Sequence, residues 1–159
     1  GTEGLAACFK ENKKSYTWEA PRFKGYIIQA KDMASAKAAK QIIKNADPDS
    51  VMSYLNQHVN VDSITYVKVQ RGLWEEGKNA MVDKYAFKNK SVEFTASEEF
   101  PVVLPVGKVI KAPQEYMDVR GQVTTDYQDY LEAQWVAMLR EKYAVVVNQE
   151  VLERLVIGK

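Results

Sequence analysis

Few of the residues that usually carry chemistry are present. The sequence has one cysteine, Cys8, and one histidine, His58. A single cysteine excludes an internal disulfide and any multi-cysteine metal centre. A single histidine excludes a two-histidine zinc site, and a nucleophile pair that needs a second histidine to orient it. Charge of one sign is also missing: 22 Lys and Arg stand against 21 Asp and Glu, a formal net charge of +1. Nucleic-acid binders carry a basic excess or stripe, so no nucleic-acid partner is expected. No apolar run approaches the ~18 residues of a membrane span. No internal repeat, low-complexity run or flexible linker interrupts the chain. What is present is ordinary for a folded domain: 159 residues, 46% hydrophobic and 27% charged, enough for one core without a disulfide or metal staple. No metal site and no cofactor are expected.

The hydrophobic pattern divides the chain into elements. Leu5, Cys8, Phe9, Asn12 and Tyr16 follow the spacing of one helix face, and Pro21 ends that element. Phe23 to Ala30 reads as a strand. Asp32 is placed to cap a helix through Asn45 that buries Ala39, Ile42, Ile43 and Ala46. Asp47 and Pro48 restart the chain as a second helix with Val51, Tyr54, Leu55 and His58. Ser63 to Gln70 alternates like a strand, and Gly72 and Gly77 bracket a loop holding Trp74. Asn79 can cap a short helix with Met81, Val82, Tyr85, Ala86 and Phe87. Phe100–Leu104 and Val106–Lys111 read as two strands broken by Pro105, with Pro101 and Pro105 pointing to an edge or a bulge. Pro113 to Gly121 reads as a loop.

The strongest periodicity comes last. Tyr127, Tyr130, Leu131, Gln134, Trp135, Met138, Leu139 and Tyr143 form one broad stripe, with Asp126 placed as its cap. A fully buried large side chain contributes roughly 2–3 kcal/mol, so the stripe calls for a partner. Trp135 and Leu139 are expected to be buried, either on the first helix with Leu5 and Phe9 or on a second copy of the chain. Val145 to Val147 reads as a short extended piece, and Asn148 as the cap of a last helical turn or two. The element order predicts an α+β fold with helices on one side of an antiparallel sheet and a long C-terminal helix.

Most polar features have a plain structural explanation. His58 falls at helical spacing from Val51 and Leu55 and reads as a partly buried helix residue. Cys8 reads as a small core residue. Glu75–Glu76 and Glu98–Glu99 are adjacent, so each pair diverges and no carboxylate dyad is expected. Lys37, Lys40 and Lys44 read as a solvated face. Trp74, Met81, Tyr85 and Phe87 are the one cluster with the character of a site; the alternative is that they fill the core between sheet and helix, which is the stronger reading for Tyr85 and Phe87. Methionine and aromatics suit a groove that accepts varied apolar peptide, with Trp74 the most exposed.

Four stretches together resemble the parvulin-type peptidyl-prolyl cis-trans isomerases of SurA-like periplasmic foldases and chaperones. Phe9–Lys24 (FKENKKSYTWEAPRFK) resembles a lead-in helix and the start of a parvulin first strand. Gly72–Phe87 (GLWEEGKNAMVDKYAF) resembles the segment after the second strand. Phe100–Ile110 (FPVVLPVGKVI) stands where the family has its last two strands. Asp126–Leu152 resembles the helix after the last parvulin domain of multidomain foldases. The resemblance implies a lead-in helix over 2–19, a parvulin-like domain over 20–118, and a C-terminal helix and tail over 119–159. It implies a rotamase fold that binds unfolded or proline-containing polypeptide in the periplasm, outer-membrane protein precursors among the candidate clients. The expected peptide-binding residues are Trp74, Met81, Tyr85 and Phe87.

The sequence departs from the family pattern at its two histidine positions. One falls on Gly25 or Tyr26 and the other on Lys108. No catalytic residue is therefore assigned, and little or no isomerase activity is expected. Two alternatives stay open: an active isomerase with a rearranged site, and a structural connector to other parvulin domains. Gly1 reads as an expression scar, and the chain as a fragment of a longer protein. The missing N-terminal part of that parent, or a second copy of this chain, would then be a further partner.

Overall fold

A computed structural model describes residues 1–157. Its elements run α1 (Thr2–Glu11), β1 (Arg22–Ala30), α2 (Met33–Asn45), α3 (Val51–His58), β2 (Val67–Glu75), α4 (Ala80–Tyr85), β3 (Val102–Ile110) and α5 (Arg120–Ile157). Short 3-10 turns cover Lys13–Ser15, Pro48–Ser50 and Tyr116–Val119. The fold is α+β, with a three-stranded antiparallel sheet and a long C-terminal helix. The chain divides into two compact units. One spans Thr17–Ala112 and holds the sheet; the other joins Gly1–Tyr16 to the stretch from Pro113 onward. The first helix thus belongs with the C-terminal helix. Among the described residues, no helix is long and apolar enough to cross a membrane.

The strand order is β2–β1–β3. Successive side chains of a strand point to opposite faces, so β1 feeds two cores. Ile28 and Ala30 lie in one core, with Val67, the α2 residues Ala36 and Ala39, and Val51, Leu55 and Val59 of the α3 region. Phe23 and Ile27 lie in the other, with Met81 and Val82 of α4. The helices therefore cover both faces of the sheet, not one as the element order alone implies. Ile27, Ile28, Leu55, Val51, Val67 and Val82 are fully buried, and each such side chain contributes about 1.5–3 kcal/mol.

Local chemistry sets the helix starts. The Ser35 N–H donates to Asp32 Oδ1 at 2.7 Å, which caps α2 and holds the Asp32 carboxyl below its usual range. Pro48 opens the turn that leads into α3, where its missing N–H costs nothing. The Val82 N–H donates to Asn79 Oδ1 at 3.1 Å and caps α4.

The strands differ from their sequence reading at three places. β2 begins at Val67, not Ser63, because Asp62 and Ser63 take left-handed backbone with φ of 56° and 62°. Asn60 then fixes the strand start: its Oδ1 accepts the Tyr66 and Val67 N–H groups, and its Nδ2 donates to the Val67 carbonyl. β2 also continues through Gly72 and Trp74 to Glu75, so Trp74 is a strand residue, not a loop residue. β3 is one strand that passes through Pro105. It lies at the sheet edge, where alternate N–H groups have no neighbouring strand and a missing donor is tolerated.

In the other unit, Phe9 and Tyr16 stack at 5.5 Å and 17° and close a small core with Val123. Leu5, Cys8, Tyr116 and Val119 pack around it. α5 starts at Arg120 and runs unbroken for 38 residues. Asp126 is therefore not its cap; it accepts a hydrogen bond from the Tyr16 hydroxyl at 2.7 Å. Val145–Val147 is helical, not extended. A β-branched residue costs well under 1 kcal/mol in a helix, and a helix already nucleated propagates through it. Trp135 and Leu139 are 61% and 45% exposed, so α1 does not bury them. Leu5 and Phe9 spend their area on Val123 and Val119, at the start of α5.

The Tyr16–Asp126 pair makes this unit sensitive to alkali. Burial, and then the hydrogen bond and charge of Asp126, push the Tyr16 hydroxyl well above its ordinary value of 10.0. A raised folded value means that stability is complete below pH ~10 and falls above it, because the unfolded chain ionises first. Unfolding free energy should hold through neutral pH and then drop by up to about 1.4 kcal/mol per pH unit above ~10. Tyr16→Phe should lose about 1 kcal/mol at neutral pH and flatten that alkaline fall. Denaturant unfolding followed by circular dichroism at pH 7 to 11 measures both. An equally steep fall in the variant would show that Tyr16 is not its source.

Candidate functional site

The face of the sheet under α4 is built mainly of aromatic and apolar side chains. Across the strands, Phe23 pairs with Trp74 and Val109, and Ile27 with Gln70 and Pro105. The row between them is Gly25, Gly72 and Gly107. The row of three glycines thus carries no side chain of its own between the Phe23 and Ile27 rows, and the Trp74 ring lies over its Gly72 end.

Each glycine has a steric reason. Gly25 and Gly107 face each other with φ of 158° and 151°. A Cβ on Gly25 would strike the Val106 carbonyl and the Gly107 Cα; one on Gly107 would strike the Lys24 carbonyl and the Gly25 Cα. At Gly72 the obstruction is the Trp74 ring, which lies over it. An aromatic ring laid over a glycine on an edge strand restores the apolar cover that the glycine lacks. The same ring stacks on Phe23 at 6.0 Å and 21°.

α4 packs on this face. Met81 and Val82 pack down onto Phe23 and Ile27, while Trp74, Tyr85, Phe87 and Phe94 are half-buried around them. Tyr85 meets Phe94 edge-on at 6.0 Å and 87°. The Lys84 ammonium donates to the Phe94 carbonyl at 2.7 Å and pins the irregular segment that carries this ring. The turn before α4 is fixed from below: buried Asp83 accepts the Gly77 N–H at 3.0 Å. Asn89 Nδ2 donates to Glu76 Oε1 at 3.2 Å across the same turn.

The four residues singled out in the sequence thus share one cluster, in unequal roles. Met81 is 9% exposed and belongs to the buried core of the cluster. Trp74, Tyr85 and Phe87 form the accessible rim. Sequence reading missed Phe23, Ile27 and Phe94, and it missed the glycine row. Gly25 and Gly107, each inside a strand-like segment, are the available signal for that row.

The other candidates lie elsewhere. His58 is exposed and stacks on Tyr54 at 6.3 Å, beside an open groove of about 470 Å³ between α2 and α3. It is not the partly buried helix residue that its spacing implies. Cys8 is half-buried beside a groove of about 440 Å³ between α1 and α5, with Glu11, Asp126, Tyr127 and Tyr130. Glu99 lies 3.9 Å from the Lys31 ammonium as a surface pair. Among the described residues, no group of three His, Cys, Asp or Glu could hold a metal ion. The Trp74 cluster itself offers apolar contact and aromatic faces.

Gly25→Ala should be severely destabilising, by about 2 kcal/mol or more, since backbone must move on both strands. Gly72→Ala should cost less, because the Trp74 side chain can swing away. It should shift Trp74 emission to the red as the ring becomes wetter, best read in a variant with Trp18 and Trp135 changed to Phe. Equal stability losses at the two positions would contradict the close approach of β1 and β3. No protein-family model, no curated protein and no solved structure matches this chain.

Proposed function

We propose that this chain is a parvulin-like domain of a periplasmic foldase or chaperone. It binds unfolded, proline- or aromatic-containing polypeptide and has little or no isomerase activity of its own. The observation that carries this reading is the rim of Trp74, Tyr85 and Phe87 beside the Gly25–Gly72–Gly107 row, an apolar surface of the kind that holds a flexible chain without reading its sequence.

A second observation bears on the weak activity. The two positions where the family has histidines fall on paired strands. Lys24 is opposite Lys108 and Gly25 is opposite Gly107, so Gly25 and Tyr26 lie within two register positions of Lys108. The places come together, but the residues at them are glycine, tyrosine and lysine. Rotation about an X–Pro bond has a barrier of ~18–20 kcal/mol. Lowering it requires placed polar groups that favour the twisted amide. An apolar rim can hold the proline but supplies none of that stabilisation.

Binding of this kind is weak, because apolar contact must offset the ordering of the captured chain. A dissociation constant in the high-micromolar range or weaker is expected, about 4–6 kcal/mol of binding free energy. An NMR titration with an unfolded, proline- and aromatic-rich outer-membrane peptide should move the resonances of Trp74, Tyr85 and Phe87. A protease-coupled assay on a short X–Pro peptide should show no acceleration over background at micromolar protein. No shifts at millimolar peptide would overturn the binding role. Acceleration that Lys108→Ala abolishes would replace it with an active isomerase.

A further inference from the structure

α5 carries an uncovered apolar seam with the periodicity of a helix pair. Leu131, Met138, Val145 and Leu152 recur every seven residues, and Trp135 and Val156 stand four residues after the first and last of them. All six are exposed. Alternating steps of four and three average 3.5 residues, the spacing that keeps a seam facing one neighbouring helix as the two wind around each other.

We propose that a second copy of this chain covers that seam, so that α5 is the interface of a homodimer. A seam of knobs and holes at 3.5-residue spacing is complementary to itself, and a two-fold pair places the same patch on both sides. The lengths also match. A 38-residue helix is about 57 Å long, and a second α5 is a rod of that length, whereas a captured extended peptide needs no such register.

The area is adequate. A stable interface buries roughly 800 Å² per partner. Aromatic side chains hold ~150–250 Å² each, so Trp135 together with Leu131, Met138, Val145, Leu152 and Val156 approaches that value. Tyr130 and Leu139 flank the seam and are also exposed.

The two polar seam positions are informative. Lys142 and Gln149 occupy the layers between Met138 and Leu152. Polar residues at isolated seam positions lower stability and fix register and oligomeric state. The helix itself gains from the cover. Its second half holds Val145, Val146, Val147, Val151 and Val156, which have modest helix propensity. A stretch of this composition gains its helicity from packing more than from its own backbone.

The test is sedimentation equilibrium on the full chain from micromolar to several hundred micromolar. A dimer in reversible equilibrium with monomer is expected. Met138→Glu should weaken it roughly 100-fold or more, because two carboxylates would enter the middle of the seam. Ala133→Glu, on the far side of the helix, should leave it unchanged. Lys142→Leu should tighten the dimer by about tenfold or more, as a buried ammonium is removed. The gain in that variant separates a specific seam from mere loss of folding. A monomer throughout the range, or a dimer indifferent to both Met138→Glu and Lys142→Leu, overturns the proposal.

Discussion

Strand β1 is the one strand of the sheet bonded along both edges, and the sheet unit is arranged around that fact. Its alternate side chains anchor two separate cores, Ile28 and Ala30 under α2 and α3, Phe23 and Ile27 under α4. Between the Phe23 and Ile27 rows, β1 approaches β3 so closely at Gly25 and Gly107 that neither position has room for a Cβ. The row this creates has no side chains of its own, and the Trp74 ring covers it at Gly72. The same constraint that lets the strands meet thus sets the Trp74 ring against Phe23, in the aromatic cluster proposed above to hold a peptide.

Much of the fold was legible because it rests on local chemistry. Asp32, Pro48 and Asn79 mark helix starts by the groups they offer or lack within three residues, and each stands where its helix begins. Strand β1 announced itself by its apolar run after Pro21. The errors share a different cause. Gly72 and Gly77 look like turn punctuation, yet Gly72 is held in β2 by pairing with Gly25, a contact made at a distance in sequence. Pro105 looks like a break, yet an edge strand can carry it. That α4 lies on the opposite face from α2 and α3 is a matter of topology, which no window of sequence displays.

The candidate site was legible in its composition and not in its depth. Methionine and aromatics mark the cluster, but Met81 is buried in its core, and Trp74 is half-buried on a strand, stacked on a phenylalanine that the spacing has no means to place beside it. The stripe on α5 shows the converse. Its periodicity was plain, and the area it exposes is plain in the structure, because Leu5 and Phe9 are engaged at the start of the helix by Val119 and Val123. Tyr16, which reaches Asp126 from the end of the first segment, ties α1 to that first stretch of α5 and leaves the remainder uncovered.

The proposed role of the Trp74 face is to hold unfolded polypeptide. Hydrogen–deuterium exchange on the full chain, with and without a denatured proline-rich polypeptide, reads that role residue by residue. Added polypeptide should slow exchange over residues 72–87, where β2 ends and α4 begins, and leave α2 and α3 unchanged. Protection confined to α5, or no protection at saturating polypeptide, would rule that role out.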